Sequence, residues 1–166
     1  MKTKQITQLG LLLSVSLVLG YLESLLPVMV AVPGVKLGIA NIVTMLVLYR
    51  MGGKPAFFIM LLRVVIAGFL YSGVAGIVYG LMGGVCCIAV MICLKPIPVF
   101  SMLGVSMAGA VFHNVGQIIA AMLVMENTGI VYYLPVLCIS GVVSGLAVGF
   151  LSHLLIKWYA KYFPEG

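Results

Sequence analysis

Arg50-Met-Gly-Gly-Lys-Pro55 is a short basic turn between two apolar runs, and it decides how the rest of the chain is read. The glycine pair and the proline stop one helix and allow the next to start. Arg50 and Lys54 mark the side of a membrane on which the turn stays, because positive residues are retained in the cytoplasm during insertion. Working outward from this turn, apolar stretches lie at 6–26, 36–51, 55–72, 73–94, 99–124 and 131–158. With the N-terminus inside, the cytoplasmic connections hold Lys2, Lys4, Arg50, Lys54, Lys95, Lys157 and Lys161. The outer connections keep Lys36, and Arg63 falls inside a span. The expectation is an all-α membrane protein of six transmembrane helices, one domain over 1–166, with N- and C-termini cytoplasmic.

Composition supports this class. The chain is 64% hydrophobic and 7% charged, where a soluble domain would carry roughly a quarter charged residues. A net charge of +6 raises the question of nucleic acid. The bases are dispersed at helix ends rather than gathered on a polar face, so they read as topology determinants. The first stretch follows Lys2 and Lys4 as a signal peptide would. It is too long for an h-region and has no clear small-x-small cleavage site before Pro27, so it reads as a retained helix.

Pro27, Pro33 and Gly34 bound an apolar outer loop at 27–36, which is either a lid that dips toward the bundle or an interfacial connector. Tyr71-Ser-Gly73 reads as a short outer turn, Lys95-Pro-Ile-Pro98 as an inner one, and Glu126-Asn-Thr-Gly129 as the last outer one. Tyr132 and Tyr133 read as an outer interfacial anchor; Trp158, Tyr159, Tyr162 and Phe163 read as the inner one. Glycines fall in stripes: Gly76, Gly80 and Gly84; Gly141, Gly145 and Gly149; and Gly104 continued by Ala108. On the first span Gly10 and Ser14 are followed by Ser16, Gly20 and Ser24. Small residues at this spacing let backbones approach in lipid. Most stripes are expected to serve internal packing, with at least one free for a partner.

Several chemistries are excluded. The chain has no aspartate, and its acids are Glu23, Glu126 and Glu165. A diphosphate held through bridging Mg²⁺ needs clustered carboxylates, which this chain cannot build alone. Cys86, Cys87, Cys93 and Cys138 lie in spans without a CxxC, so neither a metal nor an iron–sulfur site is expected. No HExxH, phosphate-binding glycine loop or haem motif is present.

Polar groups inside a membrane are costly and mark function by default, with mutual pairing as the alternative. Here they are Glu23, Lys36, Asn41, Arg63, His113, Asn114 and Gln117. Counting along the spans places Glu23, Lys36 and Asn41 near the outer ends and Arg63 near the midplane. His113, Asn114 and Gln117 fall at mid to outer depth. Arg63 either pairs with Glu23 or presents its planar fork to an anionic ligand. His113 and Gln117, four apart, share a face and are expected to line a polar cavity. Asn114 is offset by about 100°, and either joins them as a substrate contact or faces an adjacent helix. Asn41 either bonds a neighbouring helix or contacts ligand. Lys36 is either an interfacial anchor or an anion contact.

The run Pro33-Gly-Val-Lys-Leu-Gly-Ile-Ala-Asn-Ile-Val-Thr44, followed by Gly52, Lys54, Pro55 and Arg63, resembles the Gx transporter family. That family is also named heptaprenyl diphosphate synthase component I. Through it the chain resembles the S components of energy-coupling factor (ECF) transporters, and the resemblance covers nearly the whole chain. It implies a six-helix S-component-like bundle in a bacterial plasma membrane that binds a vitamin-like or amphipathic anionic small molecule from outside. It also implies docking through span one on a T component driven by two ATPases. Such docking uses Ala-x-x-x-Ala, and here Gly10 and Ser14 occupy the matching place. The alternatives are a non-catalytic membrane subunit of a prenyl diphosphate synthase or of a flavin-based electron-transfer complex. No catalytic residue and no cofactor is assigned.

Overall fold

The computed structural model of the protein describes residues 3–25 and 38–162. Lys2, Glu165, Phe163 and the 27–36 loop with Lys36 lie outside the described residues, as do the side chains of Lys4, Tyr159, Lys161 and Tyr162. Among the described residues there is no strand. Helices α1 (Thr3–Leu25), α2 (Asn41–Arg50), α3 (Gly53–Ala67), α4 (Gly73–Leu94), α5 (Met102–Met125) and α6 (Leu134–Tyr162) follow one another. A π-helical turn at Gly68–Ser72 joins α3 to α4, and a 3₁₀ turn at Thr128–Tyr133 precedes α6. Pro55 and Pro135 both sit in the first turn of their helices, where the missing N–H is not needed.

Four helical segments are long and apolar enough to cross a membrane: Gln5–Leu25, Gly53–Leu94, Met102–Met125 and Thr128–Trp158. The second runs for 42 residues and is two passes of chain, not one. Gly53 lies against Ile92, Met60 against Gly84, Val64 against Gly80 and Gly68 against Ile77. Position rises on α3 as it falls on α4, so the two helices are antiparallel. The reversal rests on Gly73 at φ 72°, ψ 177°, and the α2–α3 reversal on Gly52 at φ 99°, ψ 178°. Only glycine enters this region readily. The Tyr71-Ser-Gly73 and Met51-Gly-Gly-Lys-Pro55 turns therefore fall where the sequence puts them, for a backbone reason.

The next seams run antiparallel as well. Gly116 meets the Met82 carbonyl and Gly83, while Gly109 meets Met91 and Cys87. Gly141, Gly145 and Gly149 meet α5 at Val111, Met107 and Leu103 in turn. Lipid offers little hydrophobic drive between helices, so this backbone-close packing is what binds them. Gly76, by contrast, is crowded only by Ser72 of its own chain segment, and Gly104 by Phe100 and Ser101. The large buried side chains, Met45, Leu48, Met60, Ile88 and Met91, lie where α2, α3 and α4 meet.

Alternation of direction gathers Arg50, Lys54, Lys95 and Lys157 at one end of the bundle. There Lys95 Nζ donates to the Leu48 carbonyl at 2.7 Å and stands 5.2 Å from the Tyr49 ring centre. The carbonyls at the α2 C-terminus carry the negative end of its dipole, which suits the ammonium. The opposite end carries Glu126, in the left-handed region at φ 49°, and the strongly exposed Tyr132.

One expectation is corrected. The stretch 36–51 is not a full-length helix, because α2 has 10 residues and extends about 15 Å, half a bilayer core. Gly38, at φ 73°, stops the helix from extending toward its N-terminus. Asn41 is thus not near an outer end but deep in the bundle, level with Arg63.

Candidate functional site

Asn41 opens α2, and Arg63 lies ten residues into α3, about 15 Å above its start. The two meet there: Arg63 Nη2 donates to Asn41 Oδ1 at 2.8 Å. Among the described residues, Arg63 Nε is buried without a hydrogen-bond partner, and so is Thr44 Oγ1 one turn along α2. Most buried polar atoms are bonded, so an unbonded Nε on a buried guanidinium is unusual. The N-terminus of α2 also lies at this depth, with no side-chain cap at Ala40 and with the Asn41 and Ile42 N–H groups bonded to the Gly38 and Ile39 carbonyls. It adds the positive end of a helix dipole to the Arg63 charge.

The expected Glu23–Arg63 pair takes another form. Glu23 Oε1 accepts from the Gly38 N–H at 2.6 Å, while Arg63 turns to Asn41. Glu23, Tyr71 and Cys87 remain near enough to act on the guanidinium through space. Tyr71 comes from the π-helical turn and packs edge-on against Tyr21, with ring centres 5.7 Å apart. Its hydroxyl fills the space above Gly20, where a Cβ would stand 2.6 Å from it. π-Helical turns recur at functional sites because the extra residue re-aims a side chain.

Beside Asn41 lies a cavity of about 20 Å³ lined by Gly38, Asn41, Cys87, Ser106, Ser144 and Gly145, among others. That volume suits one water molecule. The other candidates lie elsewhere. His113 and Gln117 do share a face, and both press on Gly83 of α4; neither lines the cavity beside Asn41. Asn114 faces α6, and its Nδ2 donates to the Leu137 carbonyl at 2.6 Å. A Cβ at Gly10 would meet nothing within 4 Å, and exposed Ser14 bonds only back to the Gly10 carbonyl. That face of α1 is open. No group of three or more His, Cys, Asp or Glu that could hold a metal occurs among the described residues.

The sequence pattern of the family described as heptaprenyl diphosphate synthase component I matches residues 12–155. The chain belongs to this family. No curated protein and no solved structure matches it. The part that matches the heptaprenyl diphosphate synthase component I family contains Glu23, Asn41, Arg63, His113, Asn114 and Gln117, and it begins after Gly10.

Sequence reasoning did not single out Ser16, Thr44, Tyr71 or Cys87 as site neighbours. Thr44 and Cys87 carry no distinctive signal in an apolar run. Tyr71 had one, its place in a Ser-Gly turn.

Proposed function

We propose that this protein is the solute-binding membrane component of a small-molecule uptake transporter, of ECF type, crossing the plasma membrane six times with both termini inside. The observation that carries the reading is Arg63. Its guanidinium is held deep in the bundle and, among the described residues, makes one hydrogen bond and keeps a buried Nε without a partner. A planar fork with open donors beside a helix N-terminus favours an anionic group on the solute. The basic end formed by Arg50, Lys54, Lys95 and Lys157 faces the cytoplasm by the positive-inside rule. Entry to Arg63 is then from the other side. Energy comes from partner ATPases behind a T component docked on the Gly10–Ser14 face of α1, since the chain carries no phosphate-binding glycine loop.

The test is native mass spectrometry of the protein purified in mild detergent. A stoichiometric small-molecule adduct is expected, and Arg63→Ala should lose it while remaining monodisperse. An adduct that survives Arg63→Ala would overturn the reading.

The family description favours a second reading, a membrane subunit of a prenyl diphosphate synthase that is itself non-catalytic. Without aspartate the chain itself has no means to cluster carboxylates around Mg²⁺. This reading predicts a stoichiometric protein partner and no adduct.

A further inference from the structure

Helix α1 is the most weakly embedded of the long helices: 6% of its apolar window is buried, against 22–28% for the others. Yet it holds the start of α2 at two points. Ser16, fully buried, donates from Oγ to the Ala40 carbonyl at 3.4 Å. Glu23, two helical turns further along, accepts from the Gly38 N–H at 2.6 Å. Between them Gly20 lets the Tyr71 hydroxyl and Ala40 come close to the α1 backbone. The gripped turn is closed by the Asn41 N–H, which donates to the Gly38 carbonyl at 2.8 Å. Asn41 is the residue that bonds Arg63 and lines the cavity with Cys87. A continuous path therefore runs from α1 through 38–40 to Asn41 and Arg63.

We infer that Ser16 and Glu23 are positioning residues for the Asn41–Arg63 site, and that displacement of α1 unseats that site. The inference rests on the solute-binding reading and names its control: a partner that pulls on the open face of α1 moves Asn41 away from Arg63. The two-point grip makes α1 a lever and not a lipid-facing post. One bond is charge-assisted, so its loss weighs more than that of a neutral contact.

The experiment reads cavity opening without any solute. Cys86, Cys93 and Cys138 are replaced by serine, leaving Cys87, which is 7% exposed, as the one thiol. The rate of its modification by methyl methanethiosulfonate is then measured in detergent. Removing both grips (Ser16→Ala with Glu23→Gln) is expected to raise the rate roughly tenfold or more, since local opening becomes easier by their combined contribution. Ser16→Thr, which keeps the hydroxyl, should leave the rate near the parent's. Val99→Ala, at a strongly exposed position between α4 and α5, should not change it. If the double variant does not fold, Ser16→Ala and Glu23→Gln alone carry the test, each with a smaller rise. A Cys87 rate unchanged by these substitutions overturns the inference. Because no solute enters the assay, that failure is distinct from loss of the solute-binding reading, which is decided by the Arg63→Ala adduct.

Discussion

Replacing Gly145 by alanine tests the seam on which the bundle depends. A Cβ there would stand 2.6 Å from Met107 Cα, 2.9 Å from the Ser106 carbonyl oxygen and 3.0 Å from Met107 N. All three are backbone atoms of α5, so no rotamer change relieves the clash. Carbon atoms pack best about 3.5–4.0 Å apart, so α6 must retreat by roughly 1 Å. A gap of that size forfeits a quarter to a half of each affected contact well, and Gly141 and Gly149 depend on the same approach. Overpacking of this kind costs about 1–3 kcal/mol, while alanine in place of glycine returns up to about 1 kcal/mol of helix propensity. Three backbone overlaps put the cost in the upper half of that range, about 2–3 kcal/mol, so the net is a loss of about 1–2 kcal/mol, or a fall of roughly 2–8 °C in Tm for a chain of this size. The sign should reverse at Gly10, where nothing lies within 4 Å and only the propensity gain remains. Thermal unfolding in detergent, in the background that keeps Cys87 as its one thiol and followed by a thiol-reactive fluorophore, measures both. Gly145→Ala at or above the parent's Tm would refute the backbone-close α5–α6 seam.

Other substitutions probe separate joints. Lys95→Met removes the bond to the Leu48 carbonyl and the contact with Tyr49, and should lower stability by about 1–2 kcal/mol in the same melt. Asn114→Ala loses the bond to the Leu137 carbonyl and should cost about 0.5–2 kcal/mol without changing any co-purified adduct. Glu126→Gly relieves a left-handed backbone at φ 49° and should leave Tm unchanged or raise it, by up to about 1 kcal/mol in stability.

Hydropathy, charge and turn residues made the helix order readable, because each acts locally. The turns at Gly52 and Gly73 announce themselves by residues that only those backbones need. The stripe Gly141, Gly145 and Gly149 was legible as a packing face because small residues at a spacing of four have few other uses in lipid. Depth was harder. Asn41 looked like an outer-end residue because 36–51 reads as one apolar run, and nothing in its composition reveals that Gly38 takes a positive φ. The partner of Arg63 was also hidden. A carboxylate is the obvious match for a guanidinium, yet Glu23 is consumed by the Gly38 N–H, a backbone group that no side-chain pattern announces. His113 and Gln117 could be placed on one face by spacing alone, but spacing does not say that Gly83 is what they meet.

The brevity of α2 bears on how the protein is made. Ten residues are too few to partition into a bilayer as an independent segment, and a lone arginine mid-helix carries an insertion penalty of about 2.5–3.5 kcal/mol. Each defect answers the other once Asn41 and Arg63 have met. On the six-span reading proposed above, the α2–α3 hairpin is expected to enter the membrane as a single cargo, with the translocon holding α2 until α3 has been synthesised.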